Sequence, residues 1–355
     1  QYVTNQLIVK YKDGITRKEK DQFRLDHEGT KQIPSTARRL HRLWAEAILL
    51  PQILNADEIA TTIESWVEDP RVDYVEPNYV FGTLAEVNDP EFGGQWPLTA
   101  VSAPTIWESV TGTPQTVIAV LDTGLDVTNL DRPAMILPGF DMVNNDAEPA
   151  DDHGHGTAVT SIIAASANNG LGMAGLCYGC AVLPVKVLDD HGLGSYADLA
   201  EAIVYAVDHG ARVINISAGA PSYSRLLDDA VQYAHTRGVT VVAAAGNDGT
   251  NTPIYPAALS NVVAVAATDN ADQIWLQSNF GSFIDLSAPG VDIVVQSLGS
   301  SANARASGTS FAAAHVSGAA GLLLAHRPTL SPSQVREYLA GSSVDLGGTG
   351  RDDYY

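Results

Sequence analysis

Five short runs of β-branched and small apolar residues, 117–121, 182–187, 213–216, 239–244 and 262–266, show no alternation between apolar and polar positions. A strand with one face in water alternates, whereas one covered on both faces does not. Between these runs lie helical stretches such as 195–209, which opens on Ser-x-x-Asp, and 222–237. Gly210 and Gly238 follow them where helices commonly end. The alternation predicts an α/β fold, a parallel sheet with helices on both faces. One more run, 311–324, holds His315 but no Asp, Glu, Lys or Arg, which predicts a helix buried on all sides.

The first 82 residues follow a different plan. Leu7 to Tyr11 alternate as a strand, and Thr16 with Glu19 has the spacing of a capping box that opens a helix to about Glu28. Residues 40–50 predict hairpin strands. Asn55 to Glu58 cap a second helix, with Ile59, Ile63, Trp66 and Val67 on one face, and 72–81 supply a last strand. The order β, α, β, β, α, β is a split βαβ sandwich. Residues 83–88 lack periodicity, so the chain divides into 1–82, a linker at 83–88, and a larger domain at 89–355.

Charge narrows the function. The net charge is −21, and most of it lies beyond residue 88, where 9 basic residues face 27 acidic ones. Such a surface repels phosphate backbones and anionic lipids, which argues against nucleic-acid or membrane partners. No apolar stretch reaches the roughly 18 residues of a membrane span. The only cysteines are Cys177 and Cys180. Two thiolates cannot complete a structural zinc site, so a local disulfide formed in an oxidising compartment is expected, with free thiols as the alternative.

Three segments carry the chemistry: Asp122-Thr123-Gly124, His155-Gly156-Thr157 and Gly308-Thr309-Ser310. Asp122 ends a strand run, at the edge where α/β sheets hold ligands, His155 precedes a helical stretch, and Ser310 opens the 311–324 helix. A hydroxyl there sits where the helix dipole favours developing negative charge. Asp, His and Ser together supply the nucleophile, base and base-orienting group of acyl transfer. Asn247, after the 241–246 run, can donate an amide N–H to an oxyanion, although Asn247-Asp248-Gly249 is also good turn chemistry. His153 and His315 are read as non-catalytic.

With Asp152 to Thr157, Asn215 to Gly219, Ala243 to Asn247 and Gly308 to Ala313, the chain from about residue 88 onward resembles the subtilisin-like serine proteases. The resemblance implies a serine endopeptidase with Asp122, His155 and Ser310 as triad and Asn247 in the oxyanion hole. It implies that peptide substrate lies along Ser217, Ala218 and Gly219, with Ala245 and Gly246 also in contact. Asp248 would stand near the S1 rim and favour basic P1 residues. The N-terminal unit looks like a propeptide that assists folding and inhibits until removed.

Calcium is the expected metal, since the acids are spaced as oxygen ligands without the His/Cys sets of zinc. Two clusters resemble calcium sites of the thermitase branch: Asp89, Asp131 and Asn169, and Asp141 and Asp146 with Asn144 or Glu148. The expected protein is a secreted monomer. The competing function is a retired protease that keeps its propeptide and acts as a binding module; intact Asp122, His155, Asn247 and Ser310 argue against it.

Overall fold

The computed structural model describes residues 2–27, 43–50, 54–79, 87–300, 302–347, 350 and 352–354. Two compact units divide the chain, Gln1–Glu86 and Val87–Tyr355.

In the first unit, β1 (Tyr2–Tyr11) lies between β2 (Ala45–Leu49) and β3 (Val72–Tyr79), antiparallel to both. Helix α2 (Ala56–Val67) joins β2 to β3 across the inserted β1, which is the split βαβ connection. Thr16 and Asn55 each form a capping box, with Glu19 at the start of α1 (Arg17–Asp26) and Glu58 at the start of α2. Phe23 and Trp66 pack edge to face in a core with Leu7, Val9, Tyr11, Ile48 and Ile59. One expectation needs correction, and two fall partly outside the described residues: the 83–88 linker, of which 83–86 are not described, and the 40–50 hairpin. Of the expected hairpin, the described residues contain only β2, while 28–42 lie outside them. Val67 is exposed, because eight residues after Ile59 a helix has turned roughly 80° off that residue's direction.

The second unit is built on an eight-stranded parallel sheet. Its strands are β4 (Val117–Asp122), β5 (Met135–Ile136), β6 (Phe140–Asp141), β7 (Ala181–Lys186), β8 (Ala211–Ile216), β9 (Thr240–Ala244), β10 (Val262–Thr268) and β11 (Leu286–Pro289). The order is β11-β10-β9-β8-β4-β7-β5, with β6 also on β7. Each predicted run becomes a strand of this sheet, and most of their residues are buried, as coverage of both faces requires.

Helices follow in order: the short α3 (Trp96–Ala100) and α4 (Ala103–Trp107), then α5 (His155–Ala164), α6 (Tyr196–Asp208), α7 (Arg225–Thr236), α8 (Thr309–His326) and α9 (Pro332–Gly341). One core packs α5 and α8 on the sheet, and the other packs α6 and α7. Helix α8 is buried nearly all round, as its lack of charge predicted. A separate antiparallel pair, β12 (Ile293–Gln296) with β13 (Asn303–Ala306), stands outside the sheet. From β4 the chain crosses to β7 on one side and then to β8 on the other. That reversal leaves a crevice at the carboxyl ends of β4 and β8, where α/β sheets bind ligands.

Candidate active site

Asp122 is the last residue of β4 and fully buried. Its Oδ1 accepts from the Thr123 N–H (2.8 Å) and from His155 Nδ1 (2.7 Å). A carboxylate only accepts, so Nδ1 carries the hydrogen and Nε2 of the neutral ring is left basic. Asp122 Oδ2 is buried without a hydrogen-bond partner among the described residues.

His155 is the first residue of α5, and that helix is seated by close approach. A Cβ on Gly156 would come within 2.2 Å of the Gly124 carbonyl oxygen, so only glycine lets the helix reach β4's end. The Thr123 hydroxyl accepts from Gly156 N–H (2.9 Å) and donates to Asp151 (2.8 Å). Asp151 also accepts from the N–H groups of His153, Gly154 and Thr157 and from the Thr157 hydroxyl, capping the helix that Gly154 leaves uncapped. Burial alone would raise the Asp151 pKa, but these donors hold it below the usual carboxylate range. For His155, burial disfavours the charged ring. The charge and hydrogen bond of Asp122, with Asp151 adding, outweigh this and raise the imidazole above its ordinary value.

Ser310 is the second residue of α8, where a helix leaves its N–H groups without intrahelical acceptors. The His155 ring lies against Phe311, the next residue, with centroids 5.9 Å apart. The Ser310 hydroxyl donates to the Ser217 carbonyl (3.1 Å) and not to the imidazole. Asn247, 62 residues away in sequence, meets the same helix end. Its Oδ1 accepts from the Thr309 N–H (2.9 Å) and hydroxyl (2.8 Å), so the amide NH2 is the end left to donate. The Thr309 hydroxyl in turn accepts from Gly246 N–H (3.1 Å).

Ser217, Ala218 and Gly219 continue β8 past its last residue. A buried chain of side-chain bonds sets their distance from α8: Ser317 donates to Asn215, Asn215 to Ser217, and the Ser217 hydroxyl to the Ser310 carbonyl. A Cβ on Gly219 would meet Ile254 at 2.6 Å, and one on Gly246 would meet Asn279 Nδ2 at 2.5 Å and Ile254 at 2.9 Å. Ile254 thus lies between the two segments. Ala245 is buried and Asp248 exposed, its N–H held by Asn279 (2.9 Å). His315 is a core residue, donating from Nδ1 to the Phe311 carbonyl (2.9 Å), and burial pushes its pKa down to about 4. His153 stands 6.4 Å from the His155 ring.

Asp89 and Asp131 are both buried and meet at the 168–173 loop. Asp89 accepts from the N–H groups of Asn168 and Asn169, and Asp131 from Met173 N–H and the Asn169 and Gln296 amides. No lysine or arginine pairs with either among the described residues. Burial raises the Asp131 pKa and the Asp89 charge adds to it, against those donors. A Cβ on Gly172 would fall 2.3 Å from Asp131 Oδ2, so the loop leaves room beside that oxygen that only glycine keeps. Two buried carboxylates short of positive charge fit a hard divalent cation. Asn169 directs its NH2 at Asp131, so ligation would need its amide reversed.

At the other cluster, Asp141 accepts from Asn144 N–H and its side-chain amide, Asp146 accepts from Glu148 N–H, and the backbones of Asp141 and Asp146 pair in both directions. Among the described residues, Asp189, Asp190 and His191 form the one group of three acidic or histidine side chains with ligand atoms within 4.8 Å. It is largely exposed and includes none of the residues expected to bind metal. Cys177 and Cys180 are disulfide-bonded and buried, the bond lying beside Gly321 of α8.

Sequence reasoning missed Asp151, Thr123, Thr309, Asn279, Ile254 and Lys186. Only Thr123 and Thr309 had a signal, standing inside the motifs that carry Asp122 and Ser310.

Sequence models of the subtilase family and of the fervidolysin N-terminal prodomain match residues 113–355 and 1–78 respectively. A thermophilic serine proteinase of Bacillus sp. strain AK1 is 36% identical over 98% of this chain and 84% of its own length. Thermitase of Thermoactinomyces vulgaris is 39% identical over 74% of this chain and 93% of its own. A solved protease structure from Pseudoalteromonas arctica superposes with a TM-score of 0.69 at 32% identity, over 73% of this chain and 92% of that one. The chain therefore belongs to the subtilase family, as a subtilisin-like serine protease preceded by an N-terminal prodomain.

Proposed function

We propose that the protein is a secreted, calcium-stabilised endopeptidase, made as a self-processing zymogen, in which Asp122, His155 and Ser310 form the triad and Asn247 completes the oxyanion hole. The observation that carries this is the Asp122–His155 bond at 2.7 Å, with the imidazole set against the N-terminus of the Ser310 helix. The Ser310 hydroxyl leaves the Ser217 carbonyl and attacks the scissile carbonyl carbon, passing its proton to His155 Nε2. The carbonyl electron pair moves onto oxygen, where the Ser310 N–H and the Asn247 amide receive it. The imidazolium then protonates the leaving amine as the C–N bond breaks. Water, deprotonated by His155, cleaves the acyl-Ser310 ester in the same way.

The vacated Ser217 carbonyl can accept a substrate N–H, so substrate adds as a strand along 217–219 beside Ala245 and Gly246. Ile254 closes the slot between these segments and limits the size of the P1 side chain, while exposed Asp248 favours a basic group at its rim. The Cys177–Cys180 bond supports secretion into an oxidising compartment. Labelling with a serine-directed phosphonate before and after digestion of the N-terminal unit tests the whole reading. Labelling at Ser310 only after digestion supports it; no labelling in either state favours the binding-module alternative.

Because neutral His155 is the base and its pKa is raised, kcat/KM should climb with pH along an acid limb centred above the ordinary imidazole value of about 6.5. A pH–rate profile centred at or below that value would contradict the assignment.

Asp89, Asp131, a reversed Asn169 and carbonyls of the 168–173 loop would hold calcium. The Asp141–Asp146 turn, whose carboxylates already accept its own N–H groups, is the weaker second candidate. Bound calcium would supply the charge that two buried carboxylates lack. A ligand held only by the native state at about 100 times its Kd stabilises by about 2.7 kcal/mol. Chelation should therefore lower the melting temperature by roughly 5–10 °C. Asp131→Ala should abolish most of that difference, and superimposable melting curves with chelator and with millimolar calcium would refute the sites.

A further inference from the structure

Lys186, the last residue of β7, is 1% exposed, and it lies opposite Asp122 in the parallel β4–β7 register. Burying an ammonium is unfavourable unless its donors are all used. Here three acceptors meet its three N–H groups: Asp152 Oδ1 (2.7 Å), the Thr123 carbonyl (2.8 Å) and the Leu188 carbonyl (2.8 Å). Thr123 follows Asp122, and its hydroxyl takes the Gly156 N–H beside His155. Asp152 stands three residues before His155. Leu188 opens the loop whose Gly192 faces His153. One buried cation thus ties together the three segments around the Asp122–His155 pair.

We propose that Lys186 is a positioning residue of the protease, holding Asp122 and His155 in register and offsetting the Asp152 charge that would otherwise act on the imidazole. The charged and titratable groups that act on or adjoin His155 are Asp122 from β4 and Asp151 and His153 from its own approach loop; next outward come Asp152 on Lys186, and Asp189, Asp190 and His191 in the loop whose Gly192 faces His153. The face toward α8 contributes the uncharged Phe311. Among the described residues, Lys186 is the one cation other than histidine that pairs with any of these acids, so a net excess of carboxylate pulls the imidazole toward its protonated, inactive form. Asp152 is half exposed, whereas Lys186 is not. Losing Lys186 therefore takes the donor from the Asp152 carboxylate and from two backbone carbonyls.

The inference rests on His155 being the base, and the test separates the two. Lys186→Met, Asp152→Asn and the double variant would be compared by kcat, KM and acid limb, per active site titrated with a serine-directed phosphonate, beside Ser310→Ala. Lys186→Met is expected to lower kcat roughly 10- to 100-fold with KM nearly constant, as displaced reacting groups do. It should also move the acid limb up by about half a pH unit. The double variant should restore the acid limb but not kcat. Asp152→Asn alone, which keeps Lys186 and an oxygen that can still accept from it, should move the limb down.

An acid limb unmoved in both Asp152→Asn and Lys186→Met overturns the electrostatic part, and an unchanged kcat in Lys186→Met overturns the positioning part. If instead Ser310→Ala keeps its activity, the triad reading itself fails.

Discussion

Ser310→Ala is expected to accumulate as a chain uncleaved at the 83–87 linker and to hydrolyse peptides on the order of a millionfold more slowly than the processed enzyme, a magnitude taken over from subtilisin. The mechanism loses its nucleophile while the Ser310 N–H, the Asn247 amide and the substrate strand remain. His155→Ala should fall about as far, since a hydroxyl without its base is a poor nucleophile at neutral pH. Wild-type chain should instead begin between residues 84 and 88, cleaved within the 83–87 linker, with the N-terminal unit bound and inhibitory until digested. N-terminal sequencing and gel analysis of both proteins decide this. Near wild-type turnover by Ser310→Ala, with contamination excluded, ends the reading; a fully active uncleaved wild-type chain ends the zymogen part.

Asn247→Ala should cost kcat roughly 100- to 1,000-fold, about 2.7–4 kcal/mol of transition-state stabilisation, with KM little changed. The size again follows subtilisin, but the direction follows from this site. Thr309 engages the Asn247 oxygen through its N–H and hydroxyl, so the NH2 group is the end free to meet an acceptor from the substrate. Because the donor meets full charge only after the carbonyl has become an oxyanion, its loss appears in kcat. Thr309→Val, which removes the hydroxyl that orients the amide, should lose activity in the same direction but by less. A KM effect as large as the kcat effect would show that Asn247 binds ground-state substrate instead.

Much of this architecture was legible before any coordinates. Non-alternating runs became the parallel strands because local periodicity reports how many faces of a strand are covered. The Thr16 and Asn55 caps were legible because a capping box closes within four residues. Asp122, His155 and Ser310 stood out for a related reason. Glycines pressed against them, such as Gly156 on the Gly124 carbonyl, leave a sequence mark even though the contact itself is distant.

What periodicity could not convey is the identity of the partner on each covered face. Lys186 sat at the end of an apolar run with no sign that its ammonium turns inward to three oxygens. Thr309 meets Asn247 across 62 residues, Ser317 meets Asn215 across 102, and neither pair has a local pattern that requires the other. The β12–β13 pair also went unseen, a short antiparallel pair of four residues each that stands outside the sheet. By itself, then, the sequence determined the class of fold, the covered faces and the residue types of the site, all of which local spacing and local sterics control. Strand order, the orientation of the Asn247 amide, the seating of Lys186 and the approach of Asp89 to Asp131 were decided only by tertiary structure, because buried polar groups must find donors and acceptors wherever the packed sheet and helices happen to bring them.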